Sequence, residues 1–328
     1  MLKEISIEIT RKCTNNCVHC SSMSTEKCTE MLDFTKFKEI VSDAKKLGAK
    51  TICFSGGEPF LHKDIVEMIR YVSSLKMQSY IYTSGIVFDD NNERTSLSRE
   101  ILSSISPYVT KIIFNIEAAN EKTYDLVMGT KGCFQYLLTS ISEAKKCSIL
   151  LEAHFVPMKV NINEIYDVVN LCEKKSISKL SFLRLVTHGR AKLNISHIEL
   201  SNDEYNMIKN NLVLLKKHSK IDIRIGLPLE LEKSCIKCEA ACGKLNINYN
   251  GIVFPCEVFK NDETGIIEKD LYPMSIYKKS LLEIYMNSDY LDLIRKKAMY
   301  FENGCGSLSE TCLGQYLIHK KRFGEQNE

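Results

Sequence analysis

T-R-K-C-T-N-N-C-V-H-C, from Thr10 to Cys20, sets three thiols, Cys13, Cys17 and Cys20, at gaps of three residues and then two. Just before it, Lys3 to Thr10 alternates Ile5, Ile7 and Ile9 with polar residues, the period of a half-buried strand. The thiols therefore fall at the C-terminal end of a first strand, where α/β folds gather their chemistry. Short or polar residues between them let a loop wrap something small. Three soft thiolates suit iron–sulfur or zinc and leave a four-ligand metal one short. Three readings are open at this point: buried unligated cysteines, a zinc knuckle borrowing His19, or an iron–sulfur cube with one iron uncovered.

Composition narrows the field. The chain has 328 residues, 44% of them apolar, enough for one large core and a smaller second unit. Its 44 basic and 41 acidic residues leave a net charge of only +3, which offers no special field to nucleic acid or membrane. No apolar run approaches the ~18 residues of a membrane span, and the chain enters a charged, alternating strand with no signal-peptide pattern. Fourteen cysteines in what reads as a cytoplasmic chain point to metal binding before disulfides.

Strands and helices alternate downstream. Phe37, Ile40, Val41, Ala44 and Leu47 repeat at helical spacing and Gly48 ends the helix. Strands are read at 51–54, 79–82, 111–116, 150–156 and 179–185, with helices near 64–75, 98–105 and 164–174 and a helical region up to Lys146. A polar loop separates Asp89 from Arg94. About six strand–helix units imply a parallel sheet with right-handed crossovers, too few for a closed eight-stranded barrel.

Ser55-Gly56-Gly57-Glu58-Pro59 follows the second strand. Two glycines let backbone approach a ligand, and a carboxylate beside them accepts from an ammonium group. Taken together, C-x3-C-x2-C after strand one and G-G-E-P after strand two resemble the radical S-adenosylmethionine (radical SAM) superfamily. The resemblance implies a partial (β/α)6 barrel in which Cys13, Cys17 and Cys20 hold a [4Fe–4S] cluster whose fourth iron is chelated by SAM. One electron then cleaves SAM, and a 5′-deoxyadenosyl radical takes hydrogen from substrate. It also implies that Gly56, Gly57, Glu58 and Pro59 bind the SAM amino group. Ser84, Asn115 and Glu117, at the ends of strands three and four, would face ribose and methionine. His19 would sit against adenine. Arg184 would reach the SAM carboxylate, with Arg190 in T-H-G-R-A as a further guanidinium. Asn161 follows a strand exit, Phe155 to Lys159, that is also similar to the family's fifth.

Cysteines resume at Cys235, Cys238, Cys242 and Cys256, then Cys305 and Cys312. Alternating apolar residues on either side of Asn250-Gly251 signal a hairpin. Cys242, Gly251 and Cys256 meet the spacing that opens the SPASM and twitch extensions of radical SAM enzymes, whereas the closing cysteine segment is depleted. One auxiliary [4Fe–4S] cluster is therefore expected on Cys242, Cys256, Cys305 and Cys312, a structural zinc ribbon being the other reading. Cys235 or Cys238 either replaces one ligand or stays free as a hydrogen-atom donor or substrate ligand. Cys28, Cys53, Cys133, Cys147 and Cys172 read as packing residues. The expected division is a barrel over 1–200, a linking helix and strand over 201–234, and an auxiliary cluster unit over 235–328.

The resemblance implies an enzyme that modifies a ribosomally made peptide by a thioether, a carbon–carbon crosslink or epimerisation, served by a flavodoxin- or ferredoxin-type electron donor. A barrel open at one side could take an extended peptide along a strand edge. Alternatives are a small-molecule dehydrogenase, a sulfatase-maturase-like enzyme and, in another class, a non-enzymatic iron–sulfur electron carrier.

Overall fold

The computed structural model describes residues 1–226, 229, 238–260, 271–303, 312–314 and 317. Cys235, Cys305 and the tail from His319 to Arg322 lie outside the described residues.

The chain begins with β1 (Glu4–Thr10), the cysteine loop and α1 (Phe34–Lys46), then β2 (Thr51–Gly56), α2 (Ile65–Ser74) and β3 (Gln78–Thr83). A hairpin, β4 (Ile86–Phe88) and β5 (Arg94–Ser96), precedes α3 (Arg99–Ile105) and β6 (Lys111–Asn115). Next come α4 (Glu121–Met128), α5 (Phe134–Lys146), β7 (Leu151–Phe155), α6 (Ile165–Lys175) and β8 (Lys179–Phe182). Short helices α7 (Arg190–Leu193) and α8 (Ile195–Ile198) lead to α9 (Asn202–His218) and β9 (Asp222–Ile225). The last elements are β10 (Lys244–Ile247), β11 (Val253–Phe254), α10 (Leu281–Asn287) and α11 (Asp289–Asn303).

The main sheet runs β11-β10-β1-β2-β3-β6-β7-β8-β9, parallel throughout except for β11. The six expected barrel strands stand at its centre in sequence order. The helices follow from local chemistry. Asp33 caps α1 by accepting from the amides of Thr35 and Lys36, and Ser98 caps α3 through the Ile101 amide. Apolar strand positions Ile5, Ile7, Ile9, Ile52, Phe54, Ile81, Phe114, Phe155 and Phe182 are buried in one cluster with Phe37, Ile40, Val41, Ile69, Ile141 and Val168 of the helices. Each such side chain contributes about 1.5–3 kcal/mol.

Alternation turns the other face of each strand into a polar lumen. Glu8 on β1, Cys53 on β2, Tyr82 on β3, His154 on β7 and Asn246 on β10 occupy it. The Tyr82 hydroxyl donates to the Cys53 thiol at 3.8 Å, and the Tyr82 and His154 rings lie 5.2 Å apart. Burial pushes the His154 imidazolium down to about 3, so the ring is neutral at physiological pH.

Two sequence expectations change here. The Asp89–Arg94 loop is the turn of the β4–β5 hairpin, whose three-residue strands are too short to show a period. Of the strand edges expected to take an extended peptide, that of β1 is filled by β10, which pairs with it in parallel from Glu4↔Lys244 to Ile7↔Ile247. The far side of β8 is likewise paired with β9.

Candidate active site

The cysteine loop hangs between β1 and the end of α4. Cys13 donates its amide to the Thr25 carbonyl (3.1 Å), Asn16 to Met128 (3.0 Å) and Val18 to Val127 (2.9 Å). Arg190, opening α7, grips it from the other side. Its amide donates to the Cys20 carbonyl at 3.0 Å, Nε to the Cys17 carbonyl at 2.8 Å, and Nη2 to the Ser24 carbonyl at 2.8 Å. Asn194 adds a 2.9 Å bond to the Val18 carbonyl. The approach is so close that a Cβ on Gly189, at φ +54°, would meet the Ser21 carbonyl oxygen at 2.4 Å. Arg184, the guanidinium expected at the SAM carboxylate, lies within electrostatic reach of Cys256 and Tyr205.

The G-G-E-P turn is sewn to the same loop. Gly57 donates to the Thr10 carbonyl at 2.7 Å and Glu58 to the Lys12 carbonyl at 2.8 Å. A Cβ on Gly56 would lie 2.2 Å from the Thr10 oxygen, and one on Gly57 2.1 Å from the Lys12 oxygen. The glycines thus admit the neighbouring backbone, a tighter demand than close approach of a ligand. Glu58 is fully buried. It accepts from the Thr83 hydroxyl (2.6 Å), the Ser84 amide (2.9 Å), the Ser84 hydroxyl (2.7 Å) and the Phe60 amide (3.3 Å). Both carboxylate oxygens are engaged in holding the end of β3 to the turn, and the Ser84 hydroxyl, expected at a ribose, is turned onto Glu58. A buried carboxylate needs such donors. Pro59 opens the short 3-10 turn Pro59–Leu61 that follows.

His19 and Glu117 meet across the site, Nε2 to Oε1, at 3.6 Å. Burial, and then the charge of Arg190, push the His19 imidazolium down to about 4. Burial pushes the Glu117 carboxyl up to about 8, although Oε2 accepts from the Val156 amide at 3.0 Å. At pH 7 both groups are therefore neutral. Asn161 braces this corner by donating to the Glu117 carbonyl at 3.0 Å and accepting from the Met158 amide at 2.7 Å. Asn115 ends β6 beside them.

In the C-terminal region, β10 and β11 form the expected hairpin, with Ala241 donating to the Pro255 carbonyl at 2.9 Å. Cys242 and Cys256 both stand at its open end. The Cys312 thiol is near enough to Cys256 to help raise its pKa, after burial and Glu257. Tyr285 fixes the Cys242 carbonyl with a 2.8 Å hydrogen bond, and Arg295 fixes the Ala241 carbonyl at 3.0 Å. Cys238 is partly buried against the core. Cys53, Cys133 and Cys172 are buried thiols with raised pKa values, as packing residues should be.

The Radical SAM superfamily description matches residues 7–172, half of the chain, and the chain belongs to that superfamily of enzymes. It is 27% identical over 224 residues to the Fe-coproporphyrin III synthase of Methanosarcina barkeri, covering 68% of this chain and 53% of that protein. This chain therefore spans about half the length of that relative. It is 22% identical over 318 residues to the PqqA peptide cyclase of Bradyrhizobium diazoefficiens, covering 94% of this chain and 77% of the cyclase. Among solved structures, Streptococcus suis SuiB bound to its precursor peptide SuiA superposes with a TM-score of 0.74 at 17% identity, over 97% of this chain and 73% of that one. That likeness establishes the fold.

The family implies a [4Fe–4S] cluster and SAM, and the site fits them. Burial, and then neighbouring charge, raise the Cys13 and Cys17 thiols, so they ionise only beside a strong cation such as iron. Asn15 is 2% exposed, yet neither its amide nitrogen nor its oxygen has a partner, and His19 Nδ1 is also buried and unpartnered. Among the described residues no three Cys, His, Asp or Glu side chains converge as a single metal ion requires. A cube takes one thiolate per iron, so three thiols on one loop leave its fourth iron open.

Proposed function

We propose that the chain is a cytoplasmic radical SAM peptide maturase of the SPASM/twitch type. Cys13, Cys17 and Cys20 hold the SAM-binding cluster, and Cys242, Cys256, Cys305 and Cys312 hold one auxiliary [4Fe–4S] cluster. When bound, the first cluster and SAM supply a 5′-deoxyadenosyl radical on receipt of one electron from a flavodoxin- or ferredoxin-type donor. The chain's own residues fix where that happens. Arg190 and the G-G-E-P backbone hold the thiol loop from two sides. Neutral His19 and neutral Glu117, with Asn115 and Arg184, present the polar wall to SAM, and Ser84 acts behind it by holding Glu58. Cys235 or Cys238 is left to meet the substrate or return a hydrogen atom.

The observation that carries the peptide reading is the arrangement of the C-terminal thiols, Cys242 and Cys256 at one hairpin end with the charge of Cys312 felt at Cys256. The SuiB likeness over 97% of the chain and the PqqA peptide cyclase relative support it. The test is anaerobic reconstitution with dithionite and SAM, assayed for 5′-deoxyadenosine, followed by co-expression with a candidate precursor peptide. Loss of hydrogen mass from the precursor is expected. Release of 5′-deoxyadenosine without any change in the precursor would confine the proposal to the enzyme class.

A second reading, a small tetrapyrrole substrate, is favoured by the Fe-coproporphyrin III synthase relative. Incubation with a tetrapyrrole precursor of iron-coproporphyrin in the same assay, read by its conversion and by release of 5′-deoxyadenosine, separates the two.

A further inference from the structure

Lys260 lies 5% exposed inside the protein, and its ammonium contacts Glu8 Oε1 and the Ser22 hydroxyl. Ser22 in turn donates to Glu8 Oε1 at 2.8 Å, and the ammonium also approaches the Ser21 hydroxyl at 3.4 Å. Glu8 is 1% exposed and its second oxygen, Oε2, has no partner. The three groups come from distant parts of the chain. Glu8 is on β1, Ser22 follows Cys20 by two residues, and Lys260 ends the segment that starts at Cys256. Two residues before Lys260, the Val258 carbonyl meets His188 Nε2 at 2.8 Å, just past the exit of β8. Residues 256–260 therefore reach from β1 to the exit of β8, the first and last of the six barrel strands, and touch the cysteine loop on the way.

An ion pair this deep is weak evidence for stability, since desolvation consumes most of the attraction. Hydrophobic residues of similar size would serve the core as well. What an apolar pair cannot do is hold the Ser22 hydroxyl, and so the chain immediately after Cys20, in one position. We propose that Lys260 is a positioning residue for the SAM-binding cluster: through Ser22 and Glu8 it fixes the C-terminal wall of the cysteine loop and ties that wall to the segment beginning at Cys256. Loop geometry at the first cluster then depends on the C-terminal region's being docked. The inference rests on the superfamily's cluster in the cysteine loop and is independent of the peptide substrate.

Two variants test it in the reconstituted enzyme. Ser22→Ala leaves the Glu8–Lys260 pair in place and removes the nearer of its two hydroxyl contacts with the loop, leaving only the longer one to Ser21 at 3.4 Å. It should fold with wild-type thermal stability and iron content. The SAM concentration that half-converts the electron paramagnetic resonance signal of the reduced first cluster should rise about fivefold, the worth of one hydrogen bond. Glu8→Met or Lys260→Met alone strands a buried charge, whereas the double variant removes both, together with the acceptor for Ser22, and should recover the folding loss of either. The double variant should nevertheless keep the raised SAM requirement. A wild-type SAM titration in either Ser22→Ala or the folded double variant overturns the proposal. If wild-type enzyme shows no SAM-dependent signal change, the cluster assignment fails instead, and the two failures are distinct.

Discussion

A Cβ placed on Gly57 would stand 2.1 Å from the carbonyl oxygen of Lys12, one residue before the first thiol. The two segments share two backbone hydrogen bonds, Gly57 to Thr10 and Glu58 to Lys12. Gly57→Ala must push the turn and the cysteine loop apart. A destabilisation of about 3 kcal/mol is expected, with loss of iron from the first cluster, read by thermal melts and iron analysis.

Glu58 faces four donors and offers two oxygens. In Glu58→Gln one oxygen becomes an NH2 that points at a donor. A loss of about 1–3 kcal/mol is expected, typical for an unmatched buried polar group. Urea unfolding of the iron-free protein measures it, and an unchanged midpoint would show that the bracket is not needed.

Arg190 and Arg184 make a clean pair for comparison. Arg190 spans the Cys17 and Ser24 carbonyls with two guanidinium nitrogens, which a lysine's single ammonium cannot reproduce. Arg190→Lys should weaken retention of the first cluster about tenfold or more, as loss of a group orienting metal ligands does. Arg184→Lys should leave iron retention intact. Equal losses would show that the two carbonyl contacts of Arg190 do not hold the loop.

Glu117 gives the stability of the iron-free protein a pH signature. Its folded pKa, about 8, lies above that of the unfolded chain, so between them the native state binds the extra proton and stability falls as pH rises. His19, pushed down to about 4, acts oppositely, adding stability as pH rises from about 4 to its ordinary value near 6.5. Above that value the imidazoles of His19 and His154 no longer contribute, while Glu117 still does. From pH 6.5 to 8 stability should fall by up to about 1.4 kcal/mol per pH unit. In Glu117→Gln that slope should become shallower by the Glu117 share, as followed by unfolding at fixed ionic strength.

The auxiliary cluster predicts a separable iron count. Changing Cys242, Cys256 and Cys312 together to Ala should remove roughly four irons per chain and leave the Cys13–Cys20 cluster with its SAM response. Retention of all the iron would remove the basis for the second cluster.

The centre of the fold is legible in the sequence because its periods are local. Ile5, Ile7 and Ile9 announce β1, and Phe37, Ile40, Val41 and Ala44 announce α1, before any partner is known. The thiol loop and the G-G-E-P turn are legible by spacing and by their place after strands. The reason for the glycines is not, since the atoms they make room for belong to Thr10 and Lys12, more than forty residues earlier. Arg190 carries no pattern that sets it above Arg184, because only the turn at Gly189 brings it to the loop. Glu8, Ser22 and Lys260 look like ordinary polar residues on a strand and in loops. Their meeting is a product of tertiary packing alone, as is the lodging of β10 beside β1.

That last pairing has a consequence for the order in which the protein can be made. β1 is synthesised first, but its outer row of amides and carbonyls finds its partner only when Lys244 to Ile247 emerge, some 240 residues later. Until then the nascent chain exposes an unpaired parallel edge, the kind that recruits strands from other molecules. Closing so long a span is entropically slow. Truncations that stop short of Lys244 should therefore collect as insoluble material, whereas chains carrying β10 should stay soluble even with the thiols beyond it removed.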